Sequence, residues 1–276
     1  ILLGAAMLSV LVAMDYLRRE GLEQAEYYIL ILFATAGALA MAAAADLVVV
    51  FIGLEVLSIS LYVLAGYAKA DGASPEAALK YLLLGAFASA FLLYGIALVY
   101  GATGTTRLVE MGLALRAAAS VADPVLWVGV GLLAVGLGFK LALVPFHAWA
   151  PDVYQGAPIS VTAYMSVVSK VAAFAALVRL LMVVFGPVVP LTSTILAILA
   201  VLTMTVGNIA ALTQSNIKRM LAYSSIAQAG YVLIGVIAGT SRGVAATLIY
   251  LMVYTFMQMG AFAVIVMMRR TDAIGD

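Results

Sequence analysis

YYILILFATAGALAMAAAADLVVVFIGLEVLSISLYVLAGY, from Tyr27 to Tyr67, is a run of 41 residues in which Asp46 and Glu55 are the only charged side chains. As one helix it would be about 60 Å long, twice the ~30 Å hydrocarbon core of a bilayer. Two membrane spans meeting at Asp46 satisfy both the length and the composition, and they leave Glu55 about 13 Å along the second span, near mid-membrane.

The rest of the chain repeats this pattern. Apolar runs bounded by charge, Gly or Pro fall at about 1–14 (partial), 27–45, 47–67, 76–100, 124–148, 159–185, 192–213, 218–239 and 243–268, which predicts nine helical spans. Barrel strands would instead alternate over short segments. Hydrophobic residues make up 66% of the sequence and charged residues 10%, with a mean hydropathy of +1.17, which excludes a soluble domain. A net charge of +1, scattered between apolar runs, excludes a nucleic-acid surface. There is no Cys and a single His, so thiolate zinc sites, ordinary iron–sulfur ligation and bis-histidine haem have no ligands here. Both ends read as truncated, and no signal peptide is expected.

With nine alternating spans, Arg18, Arg19, Lys69, Lys218, Arg219, Arg269 and Arg270 collect on one side. Arg107, Arg116 and Arg242 collect on the other. The richer side is expected to be cytoplasmic.

Glu55, Lys80, Lys140, Lys170 and Arg179 lie inside the predicted spans, where each costs at least ~2.5 kcal/mol at mid-helix. Lys170 is about 18 Å beyond Pro158 and, like Glu55, too deep to reach water easily. Lys80 and Arg179 are near span ends, where their stems reach the interface. Glu55 and Lys140 could form a static pair that fixes packing. One acid cannot neutralise several buried cations, however, so a lysine in a hydrated cavity or with a lowered proton affinity is the other reading. Polar stripes at helical spacing accompany the charges: Ser166, Ser169 and Lys170; Ser224, Gln228 and Tyr231; Tyr250, Tyr254 and Gln258. These either order water or hydrogen-bond between helices.

FKLALVPFHAWAPDVYQGAP, Phe139 to Pro158, places three prolines around His147 and beside Lys140, and it cannot be one smooth helix. A broken span beside ionisable residues is a feature of ion transporters. If the kink is mild, His147 shares a face with Lys140 two turns away and suits a proton relay; otherwise it caps or anchors at the interface beside Trp149.

KLALVPFHAWAPDVYQGAP followed by SVVSKVAAF, with GLEVLSISLYVLAGY, NIKRMLAYSSIAQAGY and EAALKYLLLGAFASA, resembles the antiporter-like proton-pumping membrane subunits of respiratory complex I, relatives of Mrp-type cation/proton antiporters. The resemblance covers almost the whole chain. It implies an all-α integral membrane bundle with discontinuous helices, about fourteen in a complete member, containing two inverted five-helix repeats. Residues 27–148 would be the first repeat and 159–276 part of the second; the residues themselves show no repeat. It also implies that Glu55 is the mid-membrane glutamate, Lys140 its lysine partner on the broken helix, Lys170 the central lysine and Lys80 a further lysine near the cytoplasmic half-channel. Protons would pass from Lys140 toward Lys170.

A family member of this kind works with the other membrane-arm and peripheral-arm subunits, in a bacterial inner membrane or an organellar inner membrane. Flavin, iron–sulfur clusters and quinone are expected in those partners, and no cofactor in this chain. An Mrp-type or hydrogenase-linked antiporter subunit and a purely structural scaffold are the alternatives. The family's second broken helix with its exit residue would follow Asp276.

Overall fold

The computed structural model describes residues 1–117, 123–185 and 189–272, without the side chains at 117, 189–191 and 269–272, so the Arg269 and Arg270 side chains and the polar stub from 273 onward lie outside the described residues. The chain is all-α, as expected: α1 Leu2–Arg19, α2 Ala25–Ala43, α3 Leu47–Ala65, α4 Ala73–Thr103, α5 Leu108–Ala117, α6 Pro124–Leu141, α7 Trp149–Gly156, α8 Ile159–Arg179, α9 Val189–Leu212, α10 Ile217–Ile237 and α11 Ser241–Asp272. Every predicted apolar run contains a helix, although the run 124–148 leaves helix after Leu141. Among the described residues eight helices are long and apolar enough to cross a membrane, one fewer than the nine expected; α1 is a helix too, but its last turns carry Asp15, Arg18 and Arg19.

The boundaries follow local chemistry. Asp46 ends the first long run as anticipated: its carboxylate accepts from Val48 N at 2.8 Å, capping α3, and from the Thr106 hydroxyl at 2.7 Å. Asp123 followed by Pro124 opens α6, and Asn216 opens α10. α4 is longer than its predicted 76–100, and it stops at Gly104, whose φ of 72° suits the left-handed cap. At 31 residues it is about 46 Å long, so its ends project beyond the hydrocarbon core. The short helix α5, which packs on the π-helical turn Leu180–Val184 after α8, was not expected from the sequence.

α8 is the axis of the bundle, with nearly every side chain buried and contacts to α1, α2, α3, α6, α7, α10 and α11. Large apolar residues elsewhere, Leu32, Phe33, Ile59, Phe87, Ile198 and Phe256 among them, face outward. That pattern suits lipid, with the backbone polar groups satisfied within the helices. α2 and α3 approach through Gly37 and Gly53: a Cβ on the first would lie 2.5 Å from Leu57 N, and on the second 2.6 Å from Met41 N.

The loops sort to two ends as the alternation requires. At one end the backbones around Asp46 and Arg107 pair, with Leu47 N donating to Thr106 O at 2.9 Å and Leu108 N to Ala45 O at 3.0 Å. There Arg179, inside a span by sequence, donates to Ala43 O and Ala44 O at 3.2 and 2.8 Å, closing the C-terminus of α2. At the other end Asp152 joins Lys80 to Arg219, and Lys218 donates to Ala157 O at 3.0 Å.

Candidate functional site

The broken span sets the site. α6 ends at Leu141, four residues before Pro145 and short of the predicted 148, because Ala142 adopts a left-handed backbone with φ of 57°. Leu143 N then donates to Gly138 O at 2.8 Å and Ala142 N to Phe139 O at 3.0 Å, satisfying carbonyls the break frees. Val144 N finds the Thr203 hydroxyl on α9 at 3.0 Å, and Trp149, opening α7, donates its indole N–H to Phe139 O at 2.8 Å. The amides of residues 142–144 and the carbonyls of Gly138 and Phe139 are thus partnered through the break, which is what permits non-helical backbone inside the protein.

Lys140, in the last turn of α6, is 2% exposed. Its Nζ donates to the Ser58 hydroxyl on α3 at 2.8 Å and to the Tyr81 hydroxyl on α4 at 3.2 Å. Ser58 spends its own proton on Leu54 O at 2.6 Å, leaving its oxygen free to accept. Glu55, one turn before Ser58 on the same face of α3, accepts from Ser89 on α4. The expected Glu55–Lys140 partnership is therefore indirect. Among the described residues no ion pair joins them: Ser89 holds Glu55, Ser58 and Tyr81 hold Lys140, and a void of about 10 Å³ beside Lys140 is lined by Ser58, Tyr62 and Ser89 together with apolar residues such as Leu54, Leu92 and Phe139.

Lys170, on α8, is 3% exposed and donates to Ser225 O on α10. The Ser225 hydroxyl meets that of Tyr254 on α11 at 2.8 Å, and Tyr254 also reaches Ser166 O at 3.2 Å. No ion pair reaches Lys170 among the described residues. The anticipated stripes meet in part: Gln228 pairs with Tyr250, while Tyr231 turns to Asn208 at 2.7 Å. On α10 the residue facing Lys170 is Ser225 rather than Ser224, one position and about 100° round the helix.

The two lysines stand at the ends of an aromatic row. Tyr81 stacks on Trp149 with ring centroids 4.5 Å apart and planes at 4°. Trp149 meets Tyr154 edge-on at 6.3 Å, and the Tyr154 hydroxyl interacts with Ser225.

The remaining two candidates lie elsewhere. Lys80 is not buried: its side chain is 44% exposed, and it pairs with Glu76 at 2.9 Å and Asp152 at 3.0 Å where α4 projects. The second oxygen of Asp152 takes Arg219 at 2.6 Å, tying α7 to α4 and α10. Burial raises the proton affinity of Asp152, but its bonds from Arg219 and Lys80 prevail and hold the carboxyl below the usual range. His147 falls past the end of α6, so the mild kink needed to put it on the face of Lys140 does not occur; its Nδ1 is buried without a hydrogen-bond partner.

Ser58, Tyr81, Ser89, Trp149, Asp152 and Ser225 are the site residues that sequence reasoning passed over. Ser58 was reachable, being three residues from Glu55 on a helix. Ser89 and Tyr81 depend on how α3 and α4 register, which no periodicity reveals.

A polytopic helix bundle with buried lysines on and beside a broken span has the architecture of the antiporter-like class of membrane proteins, and the chain is an integral membrane protein. Residues 44–274 match the family described as NADH:quinone oxidoreductase/Mrp antiporter, TM, and the chain belongs to that family. It is 52% identical over 270 residues to NADH-quinone oxidoreductase subunit N 1 of Herpetosiphon aurantiacus, covering 96% of this chain and 55% of that protein. It is 53% identical over 267 residues to NADH-quinone oxidoreductase subunit N of Trichlorobacter lovleyi, covering 97% and 55%. Among solved structures it resembles a chain of respiratory complex I from Thermus thermophilus with bound aureothin, with a TM-score of 0.77, 42% identity and coverage of 95% and 56%. A chain of the Mrp complex from Dietzia sp. gives a TM-score of 0.83 at 27% identity, covering 96% and 49%. The chain spans about half the length of the relatives it matches.

Proposed function

We propose that this chain moves protons across a bacterial inner membrane as a membrane-arm subunit of an NADH:quinone oxidoreductase, driven by redox chemistry in partner subunits that hold the flavin, iron–sulfur clusters and quinone. The observation that carries this reading is the pair Lys140 and Lys170, both buried and held only by neutral oxygens. A buried ammonium without a counter-ion is costly, so each lysine is poised to give up its proton when its surroundings change. Glu55, set one turn from Ser58, supplies the charge that favours protonation of Lys140.

Access from the lysine-rich end is available through an open cleft of about 800 Å³ lined by Gln24, Glu26, Tyr67 and Lys69, whose inner wall is Tyr62. Tyr62 also lines the void beside Lys140, so the cleft and the site share this residue. Lys80, at the same end, is proposed to tune the field at the mouth rather than to carry protons through the bundle, since its charge is already shared between two carboxylates.

Lys170→Met in the intact assembly, reconstituted into vesicles, tests this: proton uptake is expected to collapse with assembly preserved, and unchanged uptake would reject it. The likeness to the Mrp complex favours one second reading, a cation/proton antiporter subunit using the same lysines. It predicts that uptake depends on Na⁺ or K⁺, whereas the oxidoreductase reading predicts dependence on NADH.

A further inference from the structure

We infer that Trp149 is a positioning residue that locks the geometry of Lys140 and ties it mechanically to the Lys170 site across the broken span. The inference rests on the proton-path reading above. Three contacts converge on this buried indole. Its N–H holds Phe139 O, the carbonyl immediately before Lys140, at 2.8 Å. Its face lies flat on Tyr81, whose hydroxyl is one of two acceptors for Lys140 Nζ. Its edge meets Tyr154, which interacts with Ser225, the residue whose carbonyl holds Lys170.

Each contact alone is ordinary packing. Together they place one rigid bicyclic ring against the backbone of Lys140, the hydroxyl partner of Lys140 and the neighbour of Lys170's partner. A shift of α7 relative to α6 carries Trp149 and Tyr154 together, and so disturbs at once the stack that supports Tyr81 and the contact of Tyr154 with Ser225. α7 begins at Trp149 and is tied at Asp152 to α4 through Lys80 and to α10 through Arg219, so Trp149 and Tyr154 sit on one short, two-turn helix. A stacked aromatic pair adds a preference for one geometry that an aliphatic side chain cannot supply.

The test uses the intact assembly in vesicles, measuring protons translocated per NADH oxidised in Trp149→Leu, Trp149→Phe, Tyr81→Phe, the double variant Trp149→Leu/Tyr81→Phe, and Lys140→Met. Trp149→Leu is expected to lower the ratio by about tenfold, in line with the cost of misplacing a reacting group. Trp149→Phe, which keeps a ring on Tyr81 but loses the bond to Phe139 O, is expected to recover a large part of it. The double variant is expected to be no worse than Trp149→Leu, because Tyr81 acts through the geometry that Trp149 fixes. A normal ratio in assembled Trp149→Leu, or additive losses in the double variant, would overturn the inference. Should Trp149→Leu fail to assemble, a normal ratio in Trp149→Phe together with a normal ratio in Tyr81→Phe overturns it equally. Lys140→Met separates the two levels: normal pumping there rejects the proton path itself, while loss of pumping there with a normal Trp149→Leu rejects only the role of Trp149.

Discussion

Lys140 reaches Ser58, 2.8 Å away, and Ser58 stands one helical turn from Glu55. The acid and the lysine are thus held by separate hydroxyls, Glu55 by Ser89 and Lys140 by Ser58 and Tyr81, with no bond between them. A direct ion pair would hold Lys140 charged, whereas this arrangement leaves its charge sensitive to small movements of α3 against α6.

Ser58→Ala removes that acceptor and leaves Tyr81 alone with the ammonium. Losing a buried hydrogen bond to a charged group costs ~1.5–3 kcal/mol, so proton translocation is expected to fall by about tenfold while NADH oxidation and assembly persist. Vesicle acidification with a fluorescent pH dye measures it. Wild-type acidification would show that Ser58 is not part of the site.

Asp152 ties α7 to α4 and α10 at a surface about one-third exposed, so each ion pair contributes only ~0.2–1 kcal/mol. Its carboxyl is held below its ordinary value, so the stabilisation is present above the unfolded carboxylate's pKa of about 3.9 and is lost as pH falls through the lower folded value. Asp152→Asn is therefore expected to lower thermal stability in detergent at neutral pH. That difference from wild type is expected to begin shrinking near the unfolded value of about pH 4 and to vanish only once pH has fallen below the lower folded value. An equal deficit at every pH would contradict the assignment.

Gly37 admits no side chain, because Leu57 N occupies the place of its Cβ. Gly37→Val is expected to push α2 from α3 at a cost of ~1–3 kcal/mol or more, and to reduce the yield of assembled protein. Gly72, with open space around it, is the control: Gly72→Ala is expected to leave the yield unchanged.

Arg179 closes the carbonyl end of α2 from the end of α8. Arg179→Leu is expected to lower stability by ~1–3 kcal/mol through the lost charged hydrogen bonds, leaving the pumping ratio of the assembled fraction unchanged. A changed ratio would move Arg179 from packing to transport.

The architecture was readable because a bilayer imposes length and composition together, so charge-bounded apolar runs had one interpretation. The break near Lys140 was readable from three prolines, yet its position was not, since the chain turns at Ala142, a residue without glycine's freedom in the left-handed region. That single feature removed His147 from the face of Lys140. Glu55, Lys140 and Lys170 were found because ionisable groups in apolar runs stand out on energetic grounds. Their hydroxyl partners did not stand out: Ser and Tyr are tolerated anywhere in a bundle, and the choice of Ser225 over Ser224 is fixed by the rotation of α10 against α8. The place of Lys80 near a span end was readable from its distance to Pro75, and its exposed pairing with Glu76 and Asp152 agrees; that Asp152 would be its partner was not readable, because α7 meets α4 only in the fold.

The central claim is that protons pass by Lys140. The most direct test is the ratio of protons translocated to NADH oxidised by Lys140→Met in the intact, reconstituted assembly. The expected result is a pronounced loss of translocation per NADH with normal subunit content; a wild-type ratio at normal subunit content would contradict it.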